Sequence, residues 1–380
     1  MTTLDDHNHR LEAGAPALFR LLSPLGRAAY FPPDIPFQAR EAKDTSFNGT
    51  IGVFTDGHGH AVPLPSMASA FDLDAAELDA AFLYSPVLGF PEVRDAWQSW
   101  QRGEQGDTSP SADAETSRPA VVAGLTHGLS LIADLFGGPD RRLVVALPFW
   151  GNYRQVFTLR TGAELVTPPA YRDGRYDPSA VPSALAELPN GEPALALVNF
   201  PSNPGGYSPT VDERTVLRDG LIRAAEDRPL MVICDEAYSG LVFEDGVPNR
   251  SFFWDLVGAH EQLVPVKIDG ATKEFAFFGG RTAFVTFGVD LDEGAAAAIE
   301  NKMQCLSRGT IGSPSATAQR VLLRALRSDK THDEVDAIRQ VARERYDAIQ
   351  PALASLDRSL LRPLPFNAGF FLLMELAPDL

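Results

Sequence analysis

Cysteine is scarce: Cys234 and Cys305 are the two in 380 residues, and no CxxC spacing occurs. A disulfide framework and a cysteine-based metal site are thereby excluded. No apolar stretch is long and uncharged enough to span a bilayer. The first ten residues are polar, with no apolar run behind a basic start, so no signal peptide is expected and a cytoplasmic location is the default. Without a secretion signal, Asn48-Gly-Thr and Asn249-Arg-Ser are chance matches to the glycosylation pattern. Positive charge is in short supply, with 33 Lys and Arg against 50 Asp and Glu and a net charge of −17. A nucleic-acid binder needs a basic face, and none is offered. No GxGxxG follows an apolar run, which argues against a nicotinamide-dependent dehydrogenase. The alternating pairs His7/His9 and His58/His60 lack a second ligand pair, so no metal site is expected. No internal repeat is found.

What is present is apolar material in ordinary proportion, 44% of residues, enough for a sizeable core. The length suits two domains, or one large α/β domain with a smaller partner. Residues 1–15 read as a mobile or partner-bound arm, 47–67 as loop and turn, and 103–119 as a polar surface loop. Short apolar runs then recur at Ala120–Val122, Leu143–Ala146, Glu164–Val166, Ala194–Val198, Leu230–Cys234, Val264–Ile268 and Ala283–Phe287. Helix-like stretches lie between most of them, among them Leu129–Phe136, Tyr153–Leu159 and Val211–Glu226. Later helices are expected at Asp292–Leu306, Ser315–Arg327 and Asp333–Leu356, with a last strand at Gly369–Leu376. Continuous apolar runs alternating with helices predict an α/β fold, a mainly parallel sheet covered on both faces.

In such a sheet the ligand sits beyond the C-terminal strand ends. Four runs end in residues that can do chemistry: Pro148-Phe-Trp-Gly-Asn152, Asn199-Phe-Pro-Ser-Asn-Pro-Gly-Gly206, Asp235-Glu-Ala-Tyr238 and Asp269-Gly-Ala-Thr-Lys273. A lysine at a cleft rim can be partly desolvated, which frees its amine as a nucleophile. By itself such a lysine is more often a solvated surface residue. An Asp closing a buried run is costly unless paired, and by itself is as often a turn carboxylate.

Together these residues are more specific. Asp235, Tyr238, Lys273 and Arg281 follow one another in order, preceded by the loop Asn203-Pro-Gly-Gly. The pattern resembles the fold-type I pyridoxal-phosphate (PLP) enzymes and, within them, the class I/II, aspartate aminotransferase-like family, from about residue 45 to the end. The resemblance implies a seven-stranded sheet in a three-layer large domain over 62–334, an arm and part of a small domain over 1–61, and the rest of the small domain over 335–380. It implies that Lys273 forms a Schiff base with PLP and shuttles a proton, and that Asp235 pairs with the ring nitrogen. Tyr238 and Asn203 would bond the ring's 3′-oxygen, Trp150 would stack on the ring, and Arg281 would grip the phosphate. Leu125 and Thr126, where Ala123-Gly-Leu-Thr-His-Gly-Leu129 opens a helix, would add a backbone cradle for the phosphate, with Thr272 a further hydroxyl.

Further matches concern the substrate and a second subunit. Asn48-Gly-Thr-Ile-Gly52 and the following turns resemble the opening segment of aspartate aminotransferases, and imply that Gly52 approaches the substrate carboxylate. Tyr84, in Tyr84-Ser-Pro-Val-Leu-Gly89, would reach the neighbouring subunit's phosphate. Arg308 would bind a distal substrate carboxylate across a homodimer; an ordinary surface arginine after a helix is an equal alternative. The reaction implied is amino transfer from an L-amino acid, dicarboxylic first or aromatic second, to a 2-oxo acid.

Three positions depart from the family pattern: Tyr153 for a histidine that supports the Asp, Gly206 in the asparagine loop, and Gly270 for a phosphate-binding serine. The family's arginine for the α-carboxylate would follow Gly369–Leu376 and is expected to be missing, as in a truncated chain that binds PLP yet transaminates poorly. A PLP lyase, decarboxylase or oxidase, or an impaired aminotransferase-like binding module, stays open as an alternative.

Overall fold

The apolar runs become the strands of one sheet. The structure, a computed structural model, describes every residue except 1, 2, 32–34, 47, 48, 51, 57, 104–115 and 378–380. The strands of the main sheet are β1 (Ala120–Val122), β2 (Arg142–Val145), β3 (Glu164–Val166), β4 (Ala194–Asn199), β5 (Leu230–Asp235), β6 (Leu263–Gly270) and β7 (Ala283–Phe287). They lie in the order β1-β7-β6-β5-β4-β2-β3. Strands β3, β2, β4, β5 and β6 run parallel, while β7 is antiparallel to both β6 and β1. A fold-type I sheet is thus in place.

Alternation along each strand sorts side chains to two faces. Leu143, Val145, Leu195, Leu197, Ile233 and Ile268 point into one apolar cluster with Leu129 and Ile132 of α2 (Leu125–Phe136). Val144, Ala196, Val198, Val232 and Cys234 point the other way, onto Leu217 and Leu221 of α3 (Val211–Glu226). Both faces are covered, which is why the runs read as continuous rather than alternating. Each fully buried Leu or Ile here stabilises the fold by roughly 1.5–3 kcal/mol.

A third cluster holds the turn that carries Lys273, through Ala271 and Phe275. Helix α1 (Pro91–Gly103) buries Trp97, which stacks on Phe284 of β7 at 4.3 Å. Trp97 and Gln101 donate to the Asp269 carboxylate at 2.9–3.0 Å, and Lys267 Nζ lies 2.9 Å from Asp269 Oδ2. Asp269 and Lys267 are wholly buried, so the hydrogen bonds are needed to offset the desolvation of the pair. The short helix α4 (Ala271–Glu274) follows. Glu274 accepts from Trp100 Nε1 at 3.0 Å and pairs with Arg339 at 3.3 Å. Arg339 belongs to α7 (Thr331–Ala354), which lies beyond α5 (Glu293–Thr310) and α6 (Ala316–Leu326). The lysine-bearing turn is therefore clamped on both sides of Lys273.

Three sequence expectations need correction and one is refined. Residues 4–14 of the supposed arm form a helix, closed by a capping box between Thr3 and Asp6. The helix-like stretch from Tyr153 is helical, with a wider, π-helical turn over residues 154–159 between α-helical residues on either side. Helix α5 continues to Thr310, so Arg308 lies inside it rather than after it. The strand expected over Gly369–Leu376 shrinks to Met374–Leu376, paired with Leu361–Pro363. Its first half is diverted by other bonds, Gly369 N–H to Leu241 O at 2.8 Å and Leu364 N–H to Leu373 O at 3.0 Å. Much of the predicted surface loop at 103–119, and Asn48, lie outside the described residues. Among the described residues no helix is long and apolar enough to cross a membrane.

Candidate active site

Strand ends converge on one cavity of about 200 Å³. It is lined by Leu125, Thr126, Trp150, Asn203, Asp235, Tyr238, Thr272, Lys273 and Arg281, every cofactor-binding residue expected from the sequence except Tyr84. Tyr153, Asn199 and Ala237 complete the lining. Chain order explains the convergence: β5 ends on Asp235, β4 on Asn199, and β6 runs through Gly270 into the turn with Thr272 and Lys273. A Cβ on Gly270 would sit 2.6 Å from the Ala283 backbone, so the closeness of β7 accounts for the absence of serine there.

Electrostatics divides the cavity. Asp235 is fully buried; burial pushes its carboxyl above the ordinary range, opposed by the Tyr153 hydrogen bond, the Lys273 charge and the Ala237 N–H. Tyr153 Oη donates to Asp235 Oδ2 at 2.7 Å, and Ala237 N–H donates to Oδ1 at 3.2 Å. Burial lowers the Lys273 ammonium below its ordinary value, Asp235 raises it, and Arg281 lowers it further. Lys273 Nζ stands 5.0 Å over the Tyr238 ring. Asn203 Nδ2 lies 3.4 Å from Tyr238 Oη, so these two groups border the same space. Asn199 fixes the asparagine loop: its Nδ2 donates to the Asp235 carbonyl and its Oδ1 accepts from Asn203 N–H, both at 2.7 Å.

The opposite end suits an anion. Helix α2 opens on Gly124, Leu125 and Thr126, presenting a helix N-terminus. Thr272 Oγ1 is buried, belongs to a cavity-lining residue and has no hydrogen-bond partner among the described residues. A buried hydroxyl without a partner is costly, and an anionic ligand would supply one. Arg281 crosses directly over Gly124, where a Cβ would meet Arg281 Nη2 at 2.3 Å and the backbone has φ +84°. Gly124→Ala is therefore expected to lower the melting temperature, with roughly 1–3 kcal/mol lost to backbone strain, and to displace the guanidinium; thermal denaturation of the purified variant checks this.

A phosphate-bearing pyridine with an aldehyde fits this donor set: a lysine amine of lowered basicity, a carboxylate facing a ring nitrogen, and an arginine, a free hydroxyl and a helix N-terminus at the other end.

Three expected residues stand outside the cavity. Tyr84 is 95% exposed, and Arg308 is exposed on α5. Gly52 packs near Phe371, and Phe370 and Phe371 in turn meet the Tyr238 ring edge-on at 5.7 and 5.3 Å. Sequence reasoning gave no role to Asn199 or His127, though both lie in segments it singled out. Asn199 directly follows its apolar run and is the last residue of β4, the position where ligand-facing residues are sought. His127 Nδ1 accepts from Ala123 N–H and its Nε2 lies 3.1 Å from Thr310 Oγ1, tying the α2 opening to the end of α5.

Comparison with known proteins agrees with this geometry. The family model described as Aminotransferase class I and II matches residues 47–379. The mitochondrial aspartate aminotransferase of Schizosaccharomyces pombe is 25% identical over 304 residues, 76% of this chain and 65% of that protein, so the match spans a little under two thirds of its length. The aspartate aminotransferase of Thermotoga maritima is 24% identical over 296 residues, 78% of this chain and 70% of that one. Among solved structures, an aminotransferase from Anaerococcus prevotii superposes with TM-score 0.79 at 19% identity, covering 93% of this chain and 87% of that one. The aromatic-amino-acid aminotransferase of Burkholderia pseudomallei, covalently bound to pyridoxal phosphate, gives TM-score 0.67 at 20% identity, covering 87% and 82%. On the match over residues 47–379, the chain belongs to the class I and II aminotransferases, a family of pyridoxal-phosphate-dependent enzymes.

Proposed function

We propose that this protein transfers an amino group from an L-amino acid to a 2-oxo acid, with PLP held by Lys273. The observation that carries the reading is the convergence of Lys273, Asp235 and Arg281 on one cavity, with the lysine's basicity lowered by burial. Bound PLP supplies the electron sink that lets the Cα–H bond of an amino acid ionise. Lys273 Nζ would hold the cofactor and would supply the amine that moves a proton at the substrate Cα. Because its folded pKa lies below 10.5, the neutral amine dominates above that lowered value. The rate of cofactor attachment should accordingly rise with pH and level off before pH 10.5. Asp235 would hold negative charge against the ring nitrogen. Tyr238 and Asn203 would hold the 3′-oxygen, and Trp150 would cover the ring. Arg281, Thr272 and the amides at Leu125 and Thr126 would bind the phosphate.

The remaining assignments belong to the same proposal. The active unit is a homodimer in the cytoplasm, with Tyr84 reaching the other subunit's phosphate. Residues 62–334 form the large domain, and 1–61 with 335–380 the small one. Gly52 approaches the substrate carboxylate, and Arg308 binds a distal carboxylate, so dicarboxylic amino acids come first and aromatic ones second. The test is a half-reaction: holoenzyme is mixed with aspartate or phenylalanine and the conversion of PLP to pyridoxamine phosphate is followed by chromatography. Conversion by either donor supports amino transfer; release of carbon dioxide or elimination products instead would replace it with another PLP reaction. Arg308→Ala should lower kcat/KM for aspartate roughly tenfold to a hundredfold, the worth of one charge-assisted contact, and leave phenylalanine nearly unchanged. Equal losses on both would remove the dicarboxylate assignment.

A further inference from the structure

We infer that Tyr153 is a positioning residue for the cofactor ring, acting through Asp235 and Trp150; the inference rests on the PLP reading above. The side chain is 1% exposed and lies in the cavity wall, between the ring-nitrogen carboxylate and the indole that faces the same space. Its hydroxyl donates to Asp235 Oδ2 at 2.7 Å. Its ring meets Trp150 edge-on, at 5.6 Å and 88°. One residue thus holds the orientation of two groups that would touch the cofactor from different directions.

The backbone is shaped for this. Tyr153 N–H bonds to Trp150 O at 3.0 Å, closing a turn, and the π-helical turn over residues 154–159 begins immediately after it. That wider turn seats Val156 and Phe157 in the main core while Tyr153 faces the end of β5. π-Turns cost hydrogen-bond geometry and recur at functional sites.

The chemistry of the donor matters as much as its place. A buried carboxylate needs hydrogen-bond donors to remain ionised. A cationic donor would neutralise Asp235 and weaken its pull on a protonated ring nitrogen. A phenol donates without adding charge, and burial beside Asp235 keeps the phenol protonated. Asp235 is therefore oriented and still free to spend its charge on the ring.

The test uses apo-protein titrated with PLP and with an analogue carrying C–H in place of the ring nitrogen, followed by tryptophan fluorescence. Tyr153→Phe, which deletes one hydroxyl, should raise the dissociation constant for PLP about tenfold, as loss of one hydrogen bond to a charged group does, and leave that for the analogue unchanged. Tyr153→His, which keeps a ring donor, should retain a clear preference for PLP over the analogue. Equal weakening toward both ligands in Tyr153→Phe would mean the residue only packs, and would overturn the inference. So would unchanged affinity for both. Wild-type protein that binds PLP no better than the analogue would sink the ring-nitrogen role of Asp235, and wild-type protein that binds neither would sink the cofactor reading along with it.

Discussion

Lys273→Ala should abolish covalent attachment of PLP and lower amino transfer by at least about 10²–10⁴-fold, the range lost with a general acid–base group. The fold should survive. Burial lowers the Lys273 pKa, so below that folded value the protein carries the cost of a poorly solvated charge. The unfolded chain binds the proton more tightly, and stability rises with pH across the window from the lowered pKa to the ordinary 10.5. Removing the lysine removes that cost, and the apo-variant should melt no lower than wild type at pH 7. Melting curves of the two apo-proteins between pH 6 and 10 check the sign. A wild-type curve that falls with pH relative to Lys273→Ala would contradict it.

Asp235→Asn should lower kcat by about 10²–10³-fold, the scale of losing one preorganised electrostatic group. The folded carboxyl has a raised pKa, so its contribution to stability is fully present below 3.8 and is lost as pH rises through the folded value. At neutral pH, well above 3.8, the buried carboxyl with its raised pKa is a burden on the empty protein. The asparagine variant should accordingly be as stable as wild type or more so near pH 7, while being far less active. Loss of activity together with loss of stability would identify Asp235 as a packing residue instead.

The residues at strand ends were legible because sheet physics places ligands there. Asp235, Asn203, Trp150 and Lys273 each follow or close an apolar run, and all reach one cavity. The partners that orient them were harder to read. The Tyr153–Asp235 bond joins residues 82 apart in sequence, and only the resemblance, which sets Tyr153 where a histidine supports the Asp, pointed to it. The buried Lys267–Asp269 pair sits inside what reads as a strand end, and its donors Trp97 and Gln101 lie about 170 residues earlier. Element types were clearer than extents. The run Phe370–Leu373 has strand composition, yet its aromatic rings pack on Tyr238 rather than continuing a ladder. The N-terminal helix had a signal, Thr3 and Asp6 at capping-box spacing, which polar composition obscured. Arg308 was placed after a helix expected to end at Leu306, but α5 continues through it to Thr310.

The account stands or falls on one lysine among five in the chain, the others being Lys43, Lys267, Lys302 and Lys330. The direct measurement is peptide mapping by mass spectrometry after the PLP-loaded protein is reduced with borohydride. The account predicts the added cofactor mass on the peptide containing Lys273 and on no other, in roughly stoichiometric amount. Cofactor mass on a different lysine, or on none in a protein that binds PLP, would contradict it.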